Sequence, residues 1–111
     1  MAHQLLTIAV SRPDAGHVRL RLTGELDYET APELVAAAAD LHYGQQVTID
    51  LSGVGLCDSS GLSALLIVRR VAGSVRLTGV GTQVQQLLDR TGLTELLSVQ
   101  TAVDDDLRAT G

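Results

Sequence analysis

One stretch, residues 47–78, restricts the fold more than any other. VTIDL (Val47–Leu51) alternates apolar and polar side chains, the period of a strand with one buried face. Further on, LSALLIV sets Leu62, Leu65, Leu66 and Val68 at helical spacing. That helix ends at Arg69-Arg70, cations suited to the negative end of a helix dipole. SVRLT (Ser74–Thr78) then alternates again. Two strands joined through one helix pair in parallel, by a right-handed crossover. All-helical and all-strand architectures are excluded, and an α/β fold is left.

The flanking segments complete the pattern. Leu6, Ile8 and Val10 share one side of a loosely alternating run from Leu5 to Val10, and Ser11–Gly16 reads as a turn. Val18–Thr23 alternates cleanly, with Arg or Thr outward, so the two runs make a hairpin. Gly24–Glu29 breaks the alternation and is expected to be a loop. Thr30 and Glu33 have capping-box spacing, with Pro32 in the first turn. The helix they start runs to about Leu41, with Leu34, Val35, Ala38 and Leu41 inward, and His42-Tyr43-Gly44 closes it. Thr82 and Gln85 repeat the capping-box spacing ahead of Val84, Leu87 and Leu88, and that helix stops at Arg90-Thr91-Gly92. A short strand is expected over Glu95–Val99 and a short helix over Val103–Arg108. The expectation is one domain over residues 1–111, a mixed sheet of four to five strands packed against three to four helices.

Composition narrows the function classes. The 111 residues include no Phe or Trp and two Tyr, yet 45% are hydrophobic, so Leu, Val, Ile and Ala must fill the core. The net charge is −5, there is no Lys, and the eight Arg are scattered. A nucleic-acid partner would need a basic stripe, and an anionic membrane surface likewise, so neither is expected. The lone Cys57 cannot form an internal disulfide or a multi-cysteine zinc site, and reads as a small buried hydrophobe. MAHQLLTIAV has a short apolar run with no basic segment ahead of it, which is neither a signal peptide nor a membrane span. A soluble cytoplasmic setting is the expectation.

Few residues offer chemistry. Asp58-Ser59-Ser60-Gly61 sits at a strand-to-helix junction, where a nucleophilic serine would be exposed. The G-x-S-x-G spacing is missing, however, and His3, His17 and His42 have no evident route to Ser59. Gly53-Val54-Gly55 and Gly79-Val80-Gly81 match no nucleotide-binding fingerprint and read as turns, with Ser52–Cys57 as a whole a loop or a strand continuation. Asp104-Asp105-Asp106 reads as a solvated face or a helix start rather than a cation site. No catalytic residue, cofactor or metal is expected. Two readings of the acid–serine cluster remain. Asp58 or Ser59 caps the helix, a contribution of about 1 kcal/mol. Alternatively a serine there accepts a phosphate, which a helix N-terminus tolerates through its free N–H groups and dipole.

Asp58-Ser59-Ser60-Gly61-Leu62, preceded by VTIDLSGVGLC, resembles the signature of the anti-sigma factor antagonists, the bacterial members of the STAS-domain family. Two further blocks are similar to that family: Leu22–Asp27 with Thr30, Ala31 and Leu34, and Val84–Leu93. The resemblance spans about residues 5 to 105. It implies a switch protein without enzymatic activity, active in partner switching that regulates transcription. Unphosphorylated, such a protein binds an anti-sigma factor that is also a serine kinase, and so frees the sigma factor. Phosphorylation of the serine after the Asp reverses this, and a serine phosphatase resets it. By position that serine is Ser59, with Asp58, Ser60, Gly61 and Leu62 forming the docking turn and Asp27 beside them. A monomer or weak homodimer is expected. The alternative is a STAS scaffold that binds a different partner, as in a stressosome-like assembly.

Overall fold

The computed structural model describes residues 6–97. In chain order the elements are β1 (Thr7–Asp14), β2 (His17–Leu26), α1 (Ala31–Ala37) with a 3-10 turn over Ala38–Asp40, β3 (Gln46–Cys57), α2 (Ser59–Ala72), β4 (Val75–Thr78) and α3 (Thr82–Thr91). They form a four-stranded sheet in the order β1-β2-β3-β4. β1 and β2 are antiparallel, whereas β2, β3 and β4 run parallel. The mixed α/β sheet expected from the alternation is therefore present, with four strands and three α-helices among the described residues. The expected strand over Glu95–Val99 is a turn as far as Leu97, and its remainder lies outside the described residues, as does the expected helix over Val103–Arg108.

Register explains the core. Val18, Val47 and Val75 lie side by side on neighbouring strands, and so do Leu20, Ile49 and Leu77. All six are buried on one face. The helices cover that face with Leu34, Leu62, Leu65, Val68, Val84 and Leu88, so aliphatic side chains do the packing. Tyr28 and Tyr43 are 77% and 81% exposed and take no part in it.

Three boundaries differ from the expectation. β1 runs through Ser11–Asp14, and only Ala15 and Gly16 turn, helped by the Gly16 N–H donating to Asp14 Oδ1 at 2.9 Å. β2 continues through Gly24 and Glu25 to Leu26, where a loop was expected. It can do so because β3 also continues, through Ser52–Cys57, and offers it a partner. The pairing shifts twice, between Arg21 and Thr23 and between Gly24 and Glu25. Such shifts need an extra residue in one strand, and β3 supplies it, at Leu51–Ser52 opposite Leu22 in the first shift and at Gly55 in the second. Gly53 allows a close approach, since a Cβ there would stand 3.0 Å from the Leu22 carbonyl oxygen. The Gly53 pair is thus strand rather than turn, while Gly79, at φ +65°, does turn the chain after β4.

Candidate functional site

The two shifts bring β2 and β3 to an end together, with Leu26 opposite Cys57. The Asp58 N–H donates to the Leu26 carbonyl at 3.2 Å, which sets the β2–α1 turn beside the start of α2. Asp58 then serves both. Its Oδ1 accepts from the Gly61 N–H at 2.9 Å and caps α2, and its Oδ2 accepts from the Tyr28 N–H at 3.1 Å. The extended backbone of Asp58 (φ −107°, ψ −173°) is the conformation an N-cap requires.

Ser59 is the first residue of α2 and is exposed, and its hydroxyl has no hydrogen-bond partner among the described residues. The amides of Ser59 and Ser60 have no acceptor inside the helix, being in its first turn. Ser60 is half-buried. Gly61 and Leu62 lie beneath the turn: Leu62 is 4% exposed, and Gly61 packs against Leu26. A Cβ on Gly61 would overlap the Leu26 carbonyl, 2.7 Å from Leu26 Cγ and 3.0 Å from Cys57 Sγ. These two residues support the surface rather than present it. Cys57 is buried, as expected. Burial, with a smaller contribution from the Asp58 charge, pushes its thiol up from 9.0 to about 12, which leaves it a poor nucleophile.

Asp27 sits in the neighbouring turn and acts locally. Its Oδ1 accepts from the Glu29 and Thr30 amides at 3.0 and 3.1 Å. Thr30 does not form the expected capping box. Its hydroxyl makes no cap hydrogen bond; it donates to the Glu25 carbonyl at 2.7 Å and accepts from the Asp27 N–H at 2.9 Å. The second expected box fails as well. Gly81 is the N-cap of α3, Thr82 is already helical, and the Gln85 amide turns to Asp89 and Thr94.

One residue of the site escaped the sequence reading. Gln83, at the start of α3, brackets the Cys57 peptide: its Oε1 accepts from the Cys57 N–H at 2.9 Å, and its Nε2 donates to the Cys57 carbonyl at 2.8 Å. The Ser59 turn is therefore held from three sides, by β2, by the Tyr28 turn and by α3. Beside it an open, mainly apolar groove of about 450 Å³ runs between α1 and α2, lined by Tyr28, Pro32, Val35, Ser60, Ser63 and Ile67.

The described histidines stand apart from this site. His17 pairs with Gln46 at the opposite end of β3, roughly 35 Å from Ser59 by strand rise, and bonds Asp14 at 2.7 Å. The His42 amide closes the turn that enters β3 by donating to Gln45 Oε1 at 2.8 Å. His3 and Asp104–Asp106 lie outside the described residues. Among the described residues, no three His, Cys, Asp or Glu side chains are grouped to hold a metal ion, and no helix is long and apolar enough to cross a membrane.

Comparison with known proteins places this geometry in company. A family model described as "Mlab, STAS domain" matches residues 9–98. An anti-sigma-B factor antagonist of Listeria monocytogenes is 27% identical over 101 residues, which cover 86% of this chain and 89% of that protein. The crystal structure of an anti-sigma factor antagonist from Mycobacterium paratuberculosis superposes with a TM-score of 0.75 at 29% identity, over 94% of this chain and 92% of that one. The anti-sigma factor antagonist SpoIIAA in its unphosphorylated form shares the fold, with a TM-score of 0.68 at 21% identity over 93% and 97% of the two chains.

Proposed function

This chain belongs to the STAS-domain family, and on that premise we propose that it acts as an anti-sigma factor antagonist switched by phosphorylation of Ser59. In its unphosphorylated form it binds an anti-sigma factor that is also a serine kinase, and so frees a sigma factor. A serine phosphatase resets the switch. The chain has no catalytic role of its own and acts as a substrate and a binding partner.

One observation carries the reading: Ser59 is exposed and its hydroxyl is free among the described residues, on a turn held by the Asp58 carboxylate and by Gln83. Modification there leaves the packing alone. The phosphate meets the free amides of the first turn and the positive end of the helix dipole. It also places about −1.5 to −2 charges next to Asp58. A partner seated over Asp27, Asp58 and Ser60 would meet a dianion in its interface, while Gly61 and Leu62 keep the turn's shape from below. The apolar groove between α1 and α2 adjoins the same surface and offers that partner area to bury. Both closely compared antagonists, from Listeria and Mycobacterium, support the assignment through similarity over nearly their whole length.

The test is direct. After incubation with the cognate anti-sigma kinase and ATP, mass spectrometry should place one phosphate on Ser59, and Ser59→Ala should abolish labelling. Labelling that persists in Ser59→Ala would overturn the assignment.

A further inference from the structure

The sheet's second face gathers positive charge where the helices do not reach. β2 turns Val18, Leu20 and Leu22 into the core and Arg19 and Arg21 to the other side. The register sets Arg19 beside Thr48, and Thr48 beside Arg76. One rung on, Arg21 stands beside Asp50, and Asp50 beside Thr78. All three arginines are exposed. Strand spacing puts the Arg19 and Arg76 backbones about 10 Å apart, on either side of Thr48. Arg21 is paired with Asp50 at 3.4 Å. Arg19 and Arg76 have no carboxylate within ion-pair distance among the described residues. Two adjacent rungs therefore hold three guanidiniums and one carboxylate, in a chain whose net charge is −5.

A second feature points the same way. Parallel strands are normally covered on both faces. Here β2, β3 and β4 are parallel, and among the described residues only the helix side is covered.

The chemistry of these rungs selects the occupant. They carry no aromatic side chain on which a base could stack. They carry no large apolar side chain to insert into a bilayer. What they offer is two unpaired planar forks flanking a hydroxyl, and a guanidinium fork matches a carboxylate in a bidentate way. We propose that this open sheet face docks an acidic segment of a partner protein, with Arg19 and Arg76 each gripping a carboxylate across Thr48. The surface lies across the sheet from α2, so its occupancy is independent of the state of Ser59.

The experiment titrates the full chain with hexaglutamate at low ionic strength, following backbone amides by ¹⁵N–¹H NMR. Shifts should centre on Arg19, Thr48 and Arg76 and fade with added salt. Arg19→Gln with Arg76→Gln should raise Kd roughly tenfold, and Arg21→Gln, already paired with Asp50, by less. Ser59→Asp should bind the peptide as the unaltered chain does, whichever way the phosphorylation test falls. Absence of shifts, or equal affinity in the double variant, would overturn the proposal. So would tighter binding of oligodeoxythymidylate or of phosphatidylglycerol vesicles at the same residues. Binding that appears only after Asp104→Asn, Asp105→Asn and Asp106→Asn together would assign the face to the chain's own acidic run, and overturn the partner assignment.

Discussion

Two helices in this molecule begin with an aspartate and a hydroxyl close together, and the two turns spend those groups differently. Before α1, Thr30 is 1% exposed and its hydroxyl is engaged twice, with Glu25 and Asp27. Asp27 keeps its carboxylate within its own turn. Before α2, Ser59 is exposed with its hydroxyl free among the described residues, and the carboxylate of Asp58 ties two elements together. The hydroxyl is structural in the first turn, and in the second the carboxylate has taken over that work. A serine can be altered without cost only where something else holds the fold.

The largest expected effect comes from breaking the first turn. Thr30→Val keeps the shape but strands the Glu25 carbonyl and the Asp27 amide in partly buried positions. Unsatisfied groups of that kind cost about 1–3 kcal/mol. In a domain of this size that is a fall in Tm of roughly 10 °C, measurable by circular dichroism. A change under about 2 °C would show that Thr30 is not the structural member of the pair.

The contrast between these turns also shows how far the sequence was legible. The alternation in VTIDL and SVRLT, the helical spacing of Leu62, Leu65 and Val68, and the cap at Asp58 are local signals, and each appears in the structure. Thr30 and Glu33 have equally good capping-box spacing, yet Thr30 turns back to Glu25. It does so because β2 runs on to Leu26, and β2 runs on because β3 supplies two bulges to pair with it. That decision is made across strands, so no window around Thr30 contains it. Gln83 was invisible for the same reason, since the peptide it brackets is 26 residues away in sequence. The outward arginines of β2 could be read from alternation, but their meeting with Arg76 across Thr48 follows only from register. Leu62 fell inside the signature block, where the family resemblance drew it toward the docking surface; burial puts it underneath.

A smaller effect tests the second turn's carboxylate. Asp58→Ala removes the α2 cap, worth about 1 kcal/mol, and frees the Tyr28 amide, which water can reach. The expected Tm drop is roughly 5 °C, about half that of Thr30→Val. Asp58→Asn separates the two jobs, because its amide has one oxygen to offer where the carboxylate has two. It should recover the cap and most of the stability. Hydrogen exchange at Tyr28 should remain as fast as in Asp58→Ala, and protection at Tyr28 equal to that of the unaltered chain would show that this cross-turn bond contributes nothing.

The smallest effect on stability should come from Ser59 itself, and it carries the most functional weight. Ser59→Asp adds a negative charge at a helix N-terminus, which favours it by about 0.3–1 kcal/mol, while the like charge of Asp58 offsets part of that gain. No hydrogen bond is lost, since the Ser59 hydroxyl makes none among the described residues. The net change should stay within about 0.5 kcal/mol, as for exposed substitutions generally, and Tm should move by no more than roughly 3 °C. On the proposed function the same variant loses its affinity for the anti-sigma kinase, measured by calorimetry, whereas Ser59→Ala keeps it. A variant that melts as the unaltered chain does but no longer binds has been changed at its surface alone. If Ser59→Asp instead melts as early as Thr30→Val, the two turns are alike, and Ser59 belongs to the structure rather than to a switch.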